Sequence, residues 1–227
     1  MTIDTLKKLE NPVWYSLSET HSKFAIDYEG VKFYNPDFCP FGAFTNLNQT
    51  ESAIEKYANL TPSLFVVGQE PNNSANTKLN KTIPCNQMIL ETLKEPNYDS
   101  KIIKLTEKHS NELYDLVWLV MPGYYKIKTF EMGDYYGIIK DDKLVAATGE
   151  RLQMDDFIEI SAVVTHPDYT RKGLAKQLVA HTTKKVIEKN KTPILHVASV
   201  NTGAIKLYEN LGYKTIRKII WRHYVST

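Results

Sequence analysis

The chain is poor in several of the features that mark out protein classes. It has only two cysteines, Cys39 and Cys85. They fit neither a disulfide framework nor a metal-ligand spacing, so both read as reduced thiols. His166 precedes a proline and His196 lies mid-strand, and neither has a second ligand at metal spacing; no metal is expected. No run approaches the roughly 18 apolar residues that span a bilayer. The opening stretch MTIDTLKKLENPVWY lacks the apolar core of a secretory signal, which makes a cytoplasmic location the expectation. A net charge of +2 is too small to argue for nucleic acid or an anionic membrane as partner. Repeats at solenoid periods and low-complexity segments are absent. So are the glycine-bracketed loop followed by Lys-Ser/Thr and the G-x-G-x-x-G turn, which excludes the common mononucleotide and dinucleotide cradles.

What is present is ordinary globular material: 42% apolar and 24% charged residues over 227 positions, enough for one large domain or two modest ones. Residues 1–100 are rich in Asn and hold several prolines. KFAIDYEGVKFYNP suggests a hairpin turning near Glu29-Gly30, ESAIEKYANL a short helix, and the middle of GQEPNNSANTKLNK (68–81) an exposed loop or turn. After about residue 110 the pattern becomes regular. KHSNELYDLVWLV reads as a helix stopped by Met121-Pro122-Gly123. DYYGIIKD, KLVAATGERL and FIEISAVV read as consecutive strands, the first two joined at Asp141-Asp142. A helix over about 172–189, the strand PILHVAS, a helix over 201–211 ended by Gly212, and YKTIRKIIWRHYV complete the chain. The expected class is α+β, a mixed sheet with flanking helices, with a boundary near 110: residues 1–110 form a smaller α+β domain and 111–227 the regular one.

The turn between Val164 and Leu174 stands out. Leu174, Ala175, Leu178, Val179, Thr182 and Val186 form one helical stripe, while Lys176, Lys184, Lys185 and Lys189 fall largely on the solvated side. The helix start is different. Its first amides have no intrahelical partner and carry the positive end of the macrodipole. Gly173 leaves the backbone approachable and Ala175 keeps the next turn open, while Arg171 and Lys172 add charge. Together these describe a diphosphate cradle.

Thr170-Arg171-Lys172-Gly173-Leu174-Ala175 resembles the Gln/Arg-x-x-Gly-x-Gly/Ala motif of the GNAT superfamily of acyl-CoA-dependent N-acyltransferases, with Thr170 in place of the usual Gln or Arg. The series DYYGIIKDDKLVAATGERL, EISAVVTHPDYTRKGLAKQLV and PILHVASVNTGAIKLYENLGY is similar to glycine N-acyltransferase-like catalytic domains over roughly residues 112–225. The resemblance implies a GNAT-like twisted sheet and transfer of an acetyl or other short acyl group from acetyl-CoA to a primary amine. The reaction would be a direct attack within a ternary complex, and the amine a small molecule or peptide.

The resemblance also implies residue roles. Residues 171–176 hold the diphosphate. The strand carrying Val163 and Val164 splays from His196–Ala198, so that pantetheine fills the gap as an extra strand, and an amide near Val164 faces the thioester carbonyl. Glu159, fourteen residues before Gly173, matches the glutamate base of histone-acetylating relatives, with a pKa raised by burial. Its alternative is a salt-bridged strand-end carboxylate. Glu150 is the second candidate base, and ordered water the third. Tyr208, within Asn-x-x-Ala-x-x-x-Tyr, is the acid for the departing thiolate or simply a core residue. Asn201 and Ala204 flank the pantetheine, with Asn201 also a helix cap. A different class of function stays open: a non-catalytic acyl-CoA sensor whose first half presents a partner surface.

Overall fold

Tyr135 and Tyr136 are chain neighbours that face opposite sides of one sheet, because strand side chains alternate. Tyr135 packs with Leu113, Leu116 and Val117 of one helix, Tyr136 with Leu174 and Leu178 of another. In the computed structural model, which describes residues 3–227, this alternation is repeated across the whole molecule. The first two residues of the opening MTIDTLKKLE lie outside the described ones.

Strands β1 (Ala25–Asp27), β2 (Val31–Tyr34), β3 (Phe41–Phe44), β4 (Ser63–Val67) and β5 (Thr77–Leu90) come from the first half. Strands β6 (Ile103–Lys104), β7 (Tyr135–Lys140), β8 (Lys143–Gln153), β9 (Phe157–Thr165), β10 (Thr192–Ala198) and β11 (Tyr213–Ser226) come after them. The helices are α1 (Ile3–Lys7), α2 (Pro12–Ser18), α3 (Thr50–Ala58), α4 (Ser110–Val120), α5 (Leu174–Glu188) and α6 (Thr202–Asn210). All eleven strands join one mixed sheet in the order β1-β2-β3-β4-β11-β5-β10-β9-β8-β7-β6. Helix α4 covers β8 and β9 on one face, and α5 covers β7 to β10 on the other.

The hairpin near Glu29-Gly30 is present as β1–β2. Glu29 and Gly30 both take positive φ, as do Asp141 and Asp142 between β7 and β8. A mixed α+β sheet with flanking helices is therefore the fold, as the sequence implies. The separation into a smaller domain packed on a larger one is not what the backbone does. Strand β5, from the first half, lies between β10 and β11 and pairs antiparallel with both. The two halves share a continuous sheet, and the change of pattern near residue 110 is a change of connectivity.

The middle of the 68–81 stretch is irregular, as expected, while its end is a strand, since β5 begins at Thr77. That strand start is silent in the sequence for a plain reason. From Lys78 to Thr82 the side chains are exposed, so TKLNKTIP has no apolar alternation to announce a strand. Its backbone pairing with β11, from Tyr213↔Leu90 to Ser226↔Thr77, supplies what its side chains do not.

Two irregularities break the regular pairing of β9. Strands β9 and β10 run parallel and pair only over Thr192↔Phe157, Pro193↔Ile158 and Ile194↔Glu159; beyond Ile194 they part. On its other edge β9 pairs with β8, and the register shifts between Ala147↔Val164 and Gly149↔Ser161. Ala162 takes φ +49° at that bulge, a left-handed conformation uncommon for a residue with a side chain.

Candidate functional site

The parting of β9 and β10 opens a cleft of about 230 Å³. Ile160–Val163 of β9 form one wall and His196–Ala198 of β10 the other, with Asn201 and Tyr208 from the α6 segment closing one end. Phe65, Ile83, Cys85, Tyr124, Arg151 and Trp221 line the rest, so both halves of the chain build it. A groove of about 520 Å³ surrounds the start of α5 and is lined by Arg171, Gly173, Leu174, Ala175 and Lys176 together with Lys206 of α6.

The backbone at the groove is laid out for an anion. Arg171 and Gly173 both take positive φ, +61° and +73°, which brings the chain sharply into α5. Among the described residues, no N–H from Arg171 to Lys176 donates to a protein acceptor; the first bond into the helix is Gln177 N–H to Gly173 O at 3.2 Å. A row of unpaired amides at the positive end of a long helix attracts a phosphate-like group. Arg171, Lys176 and Lys206 add formal charge around it. Thr170, at the position where the motif usually has Gln or Arg, turns its hydroxyl back to donate to Pro167 O at 3.0 Å.

The structure sorts the remaining site residues. Val163 lines the cleft, whereas the Val164 side chain is buried beneath α4. Lys172 does not line the groove; its ammonium stands 4.7 Å over the ring of Tyr169. Asn201 both lines the cleft and caps α6, its Oδ1 accepting from Ala204 N–H at 3.1 Å. Ala204 packs against the core of β10 and α6 and does not line the cleft. Tyr208 is 8% exposed, lines the cleft, and its hydroxyl has no hydrogen-bond partner among the described residues. Burial pushes its pKa up to about 12, so the phenol stays protonated at neutral pH.

Both carboxylates considered as bases are engaged in ion pairs, and the raised pKa expected for Glu159 is corrected. Glu159 is fully buried, and its two oxygens accept from Arg151 Nε at 2.8 Å and Nη2 at 2.5 Å. His196 Nδ1 lies 2.7 Å from Oε1 of the same group. Burial alone raises a carboxyl pKa, which was the basis of the expectation; here the Arg151 charge and these hydrogen bonds outweigh it and hold Glu159 at about 2. A carboxylate so held is ionised at neutral pH and has both oxygens engaged. Glu150 lies on the opposite side of β8, away from the cleft, where Lys189 Nζ donates to it at 2.5 Å and Gln153 Nε2 at 3.0 Å.

Residues that the sequence pattern does not single out dominate the floor. Arg151 packs against the edge-to-face pair of Phe41 and Trp221, at 5.1 and 4.7 Å from their centroids. Gln87 of β5 donates to Leu9 O at 2.8 Å and lies 2.9 Å from His196 Nε2. His196 therefore accepts at Nε2 and donates from Nδ1 to Glu159, which fixes its tautomer. The signal for Arg151 was a charge pair inside apolar strands, Arg151 on one and Glu159 on the next. Simple pairing across the turn misses it, because the register shifts between Glu150↔Ile160 and Gln153↔Ile158.

With this geometry in place, similarity to known proteins can be read. A family described as FR47-like protein matches residues 135–222, the span from β7 through most of β11. A structure from Novosphingobium aromaticivorans, assigned to the GNAT family of acetyltransferases, superposes with a TM-score of 0.86 at 26% identity, over 96% of this chain and 98% of that one. A GCN5-related N-acetyltransferase from Kribbella flavida gives 0.64 at 14% identity, over 94% and 91%. A GCN5-related N-acetyltransferase-like protein from Streptococcus suis gives 0.62 at 15%, over 99% and 98%. The fold is that of the GNAT acetyltransferases, and its likeness extends over the first half of the chain as well as the second.

Among the described residues no helix is long and apolar enough to cross a membrane, and no cluster of His, Cys, Asp or Glu is placed to hold a metal ion.

Proposed function

We propose that the protein transfers an acetyl or other short acyl group from a coenzyme A thioester to a primary amine. The observation that carries this is the run of unpartnered N–H groups from Arg171 to Lys176, opening beside a cleft that forms where β9 leaves β10. The diphosphate of the thioester binds those amides, with Arg171, Lys176 and Lys206 neutralising its charge. The pantetheine arm runs between Val163 and Val197, where β9 and β10 no longer pair with each other and the facing backbone edges are free to bond an amide-bearing chain.

Chemistry then needs the thioester carbon next to the amine and a proton for the departing sulfur. The bulge at Ala162 turns backbone toward the cleft, where an N–H stabilises the carbonyl oxygen as it gains charge. The amine nitrogen bonds to that carbon, the C–S bond breaks, and Tyr208 donates its phenolic proton to the thiolate. Neither Glu159 nor Glu150 takes the amine's proton, since each is already held in an ion pair. Water in the open cleft carries it away, so turnover rises with pH as more of the amine is in its neutral form.

Calorimetry with acetyl-CoA, followed by thiol release across an amine library, tests the reading. Binding at micromolar to millimolar affinity with amine-dependent thiol release supports it. The Tyr208→Phe variant is expected to bind equally and turn over roughly a hundredfold more slowly, the usual scale for a lost general acid. Binding without thiol release from any amine points instead to a cofactor sensor.

A further inference from the structure

We infer that Gln177 is a positioning residue for the cofactor: it fastens the crossover between the two halves of the chain onto the start of α5 and so holds the phosphate-binding amides in place. The inference rests on the acyl-transfer reading and adds to it a residue that acts through the backbone of the groove.

The start of α5 needs an outside anchor. Among the described residues, its amides from Arg171 to Lys176 donate to no protein acceptor, and the first that does is that of Gln177, to Gly173 O at 3.2 Å. A loosely held turn has to be ordered at the moment of binding, which reduces affinity. Gln177 is polar yet only 4% exposed. Its Oε1 accepts from the N–H groups of Asp99 and Ser100 at 3.0 and 3.1 Å, and its Nε2 donates to Asp99 Oδ1 at 2.6 Å. The Ser100 hydroxyl donates to the same Oδ1 at 2.8 Å. This clamp lies beside the cradle, since a Cβ on Gly173 would stand 3.9 Å from Gln177 Nε2.

The crossover has few other ties. It runs from the end of β5 to β6, and between Glu95 and Ile102 the backbone N–H groups with a protein acceptor, among the described residues, are those of Asp99 and Ser100. Earlier in the segment, Glu91 N–H donates to Gly212 O and Lys94 N–H to Leu211 O, each at 3.0 Å, which fixes it to the end of α6. Its other polar tie to α5, Lys184 to Glu95 at 3.1 Å, is exposed to solvent and correspondingly weak. The groove has Gly173 and Lys176 of the α5 side on one wall and Lys206 and Asn210 of α6 on the other. One strap thus fastens both walls, and Gln177 is its buried attachment on the α5 side.

Charge gives the inference a distinctive sign. Asp99 is an acidic residue next to a groove laid out for an anion. Coulombic repulsion alone makes its removal tighten the binding of an anionic cofactor. The clamp makes its removal weaken binding, because Gln177 Nε2 loses its acceptor.

The test titrates acetyl-CoA calorimetrically into the wild type and two variants. Gln177→Ala removes all three bonds and is expected to weaken binding about tenfold. Asp99→Ala changes an exposed position on which no core packing depends, and is expected to weaken binding about threefold, against the Coulombic sign. Circular dichroism establishes that each variant is folded, and Asp99→Ala carries the test if Gln177→Ala is not. Steady-state kinetics with an amine from the library supplies a second readout. The KM for acetyl-CoA is expected to rise with the dissociation constant, while kcat at saturation and the KM for the amine stay within about twofold. Unchanged or tighter binding by Asp99→Ala, unchanged affinity in folded Gln177→Ala, or a fall in kcat with the KM for acetyl-CoA unmoved, each overturns the assignment of Gln177. Failure of the wild type to bind acetyl-CoA is a separate outcome and overturns the acyl-transfer reading instead.

Discussion

Arg151 and Glu159 sit on adjacent strands, β8 and β9, and are joined by two hydrogen bonds of 2.8 and 2.5 Å, with the carboxylate fully buried. The bulge between Glu150 and Gln153 makes this possible by shifting β8 against β9. Removing a buried charge from water is costly, and the pair persists because every oxygen of Glu159 is answered, by Arg151 and by His196.

That relationship sets the first prediction. Glu159→Ala leaves a guanidinium uncompensated against two aromatic rings and is expected to lower stability by roughly 3–5 kcal/mol. Glu159→Gln retains an acceptor for Arg151 and should cost about half as much. Denaturant titrations of the three proteins at neutral pH measure both. If Glu159→Ala is as stable as the wild type while activity vanishes, the carboxylate is catalytic and its structural role here is mistaken.

Gly173 separates a cradle from an ordinary strand–helix turn. A Cβ there meets nothing closer than Gln177 Nε2 at 3.9 Å, but φ is +73°. Gly173→Ala is therefore expected to cost about 1 kcal/mol of stability from the left-handed backbone. The methyl also intrudes where a ligand must approach the amides of Leu174 and Ala175. Acetyl-CoA affinity should fall about tenfold or more, out of proportion to the stability loss. Unchanged affinity by calorimetry removes the groove from the binding site.

These cases show how much was legible in the chain itself. The α5 cradle was readable because it is local: Gly173, Ala175 and the flanking cations lie within a few residues of one another. The strands from β7 to β10 were readable because their apolar runs are unbroken. What escaped depends on contacts distant in sequence. Strand β5 is polar on its outer length and becomes a strand through β11, well over a hundred residues away. The charge state of Glu159 escaped for a related reason. Its burial was foreseeable from an apolar strand, but the sign of its pKa shift depends on Arg151, which only the bulged register places beside it.

His21 gives a pH prediction of defined sign. It is 2% exposed, with Nε2 donating to Met132 O at 2.9 Å and Nδ1 3.0 Å from the Tyr34 hydroxyl. Burial lowers its pKa from 6.5 to about 4. The unfolded chain takes up a proton as pH falls below 6.5, while the folded protein resists it until about 4. Stability is thus complete above pH 6.5 and declines toward pH 4, by about 3 kcal/mol in all from this one group. Histidine NMR provides the direct check: the His21 ring should show no titration between pH 7 and 5. A midpoint near the usual value for histidine contradicts the buried neutral ring.

Gly212 is the residue where the backbone of one turn is closed against another chain segment. It comes just after α6 with φ +98°, and a Cβ at this position falls 1.8 Å from the carbonyl oxygen of Thr92. That carbonyl cannot withdraw easily. Glu91 N–H donates to Gly212 O at 3.0 Å and Lys94 N–H to Leu211 O at 3.0 Å, so Thr92 is held on both sides by the very turn it touches. Gly212→Ala therefore meets a steric clash and a disfavoured conformation together, and a loss of about 2–4 kcal/mol is expected. Because α6, just before it, carries both Tyr208 of the cleft and Lys206 of the groove, the strain is also expected to lower turnover and CoA affinity together. Thermal unfolding and steady-state kinetics on the same variant separate the two effects, and wild-type stability would show that Thr92 yields without cost.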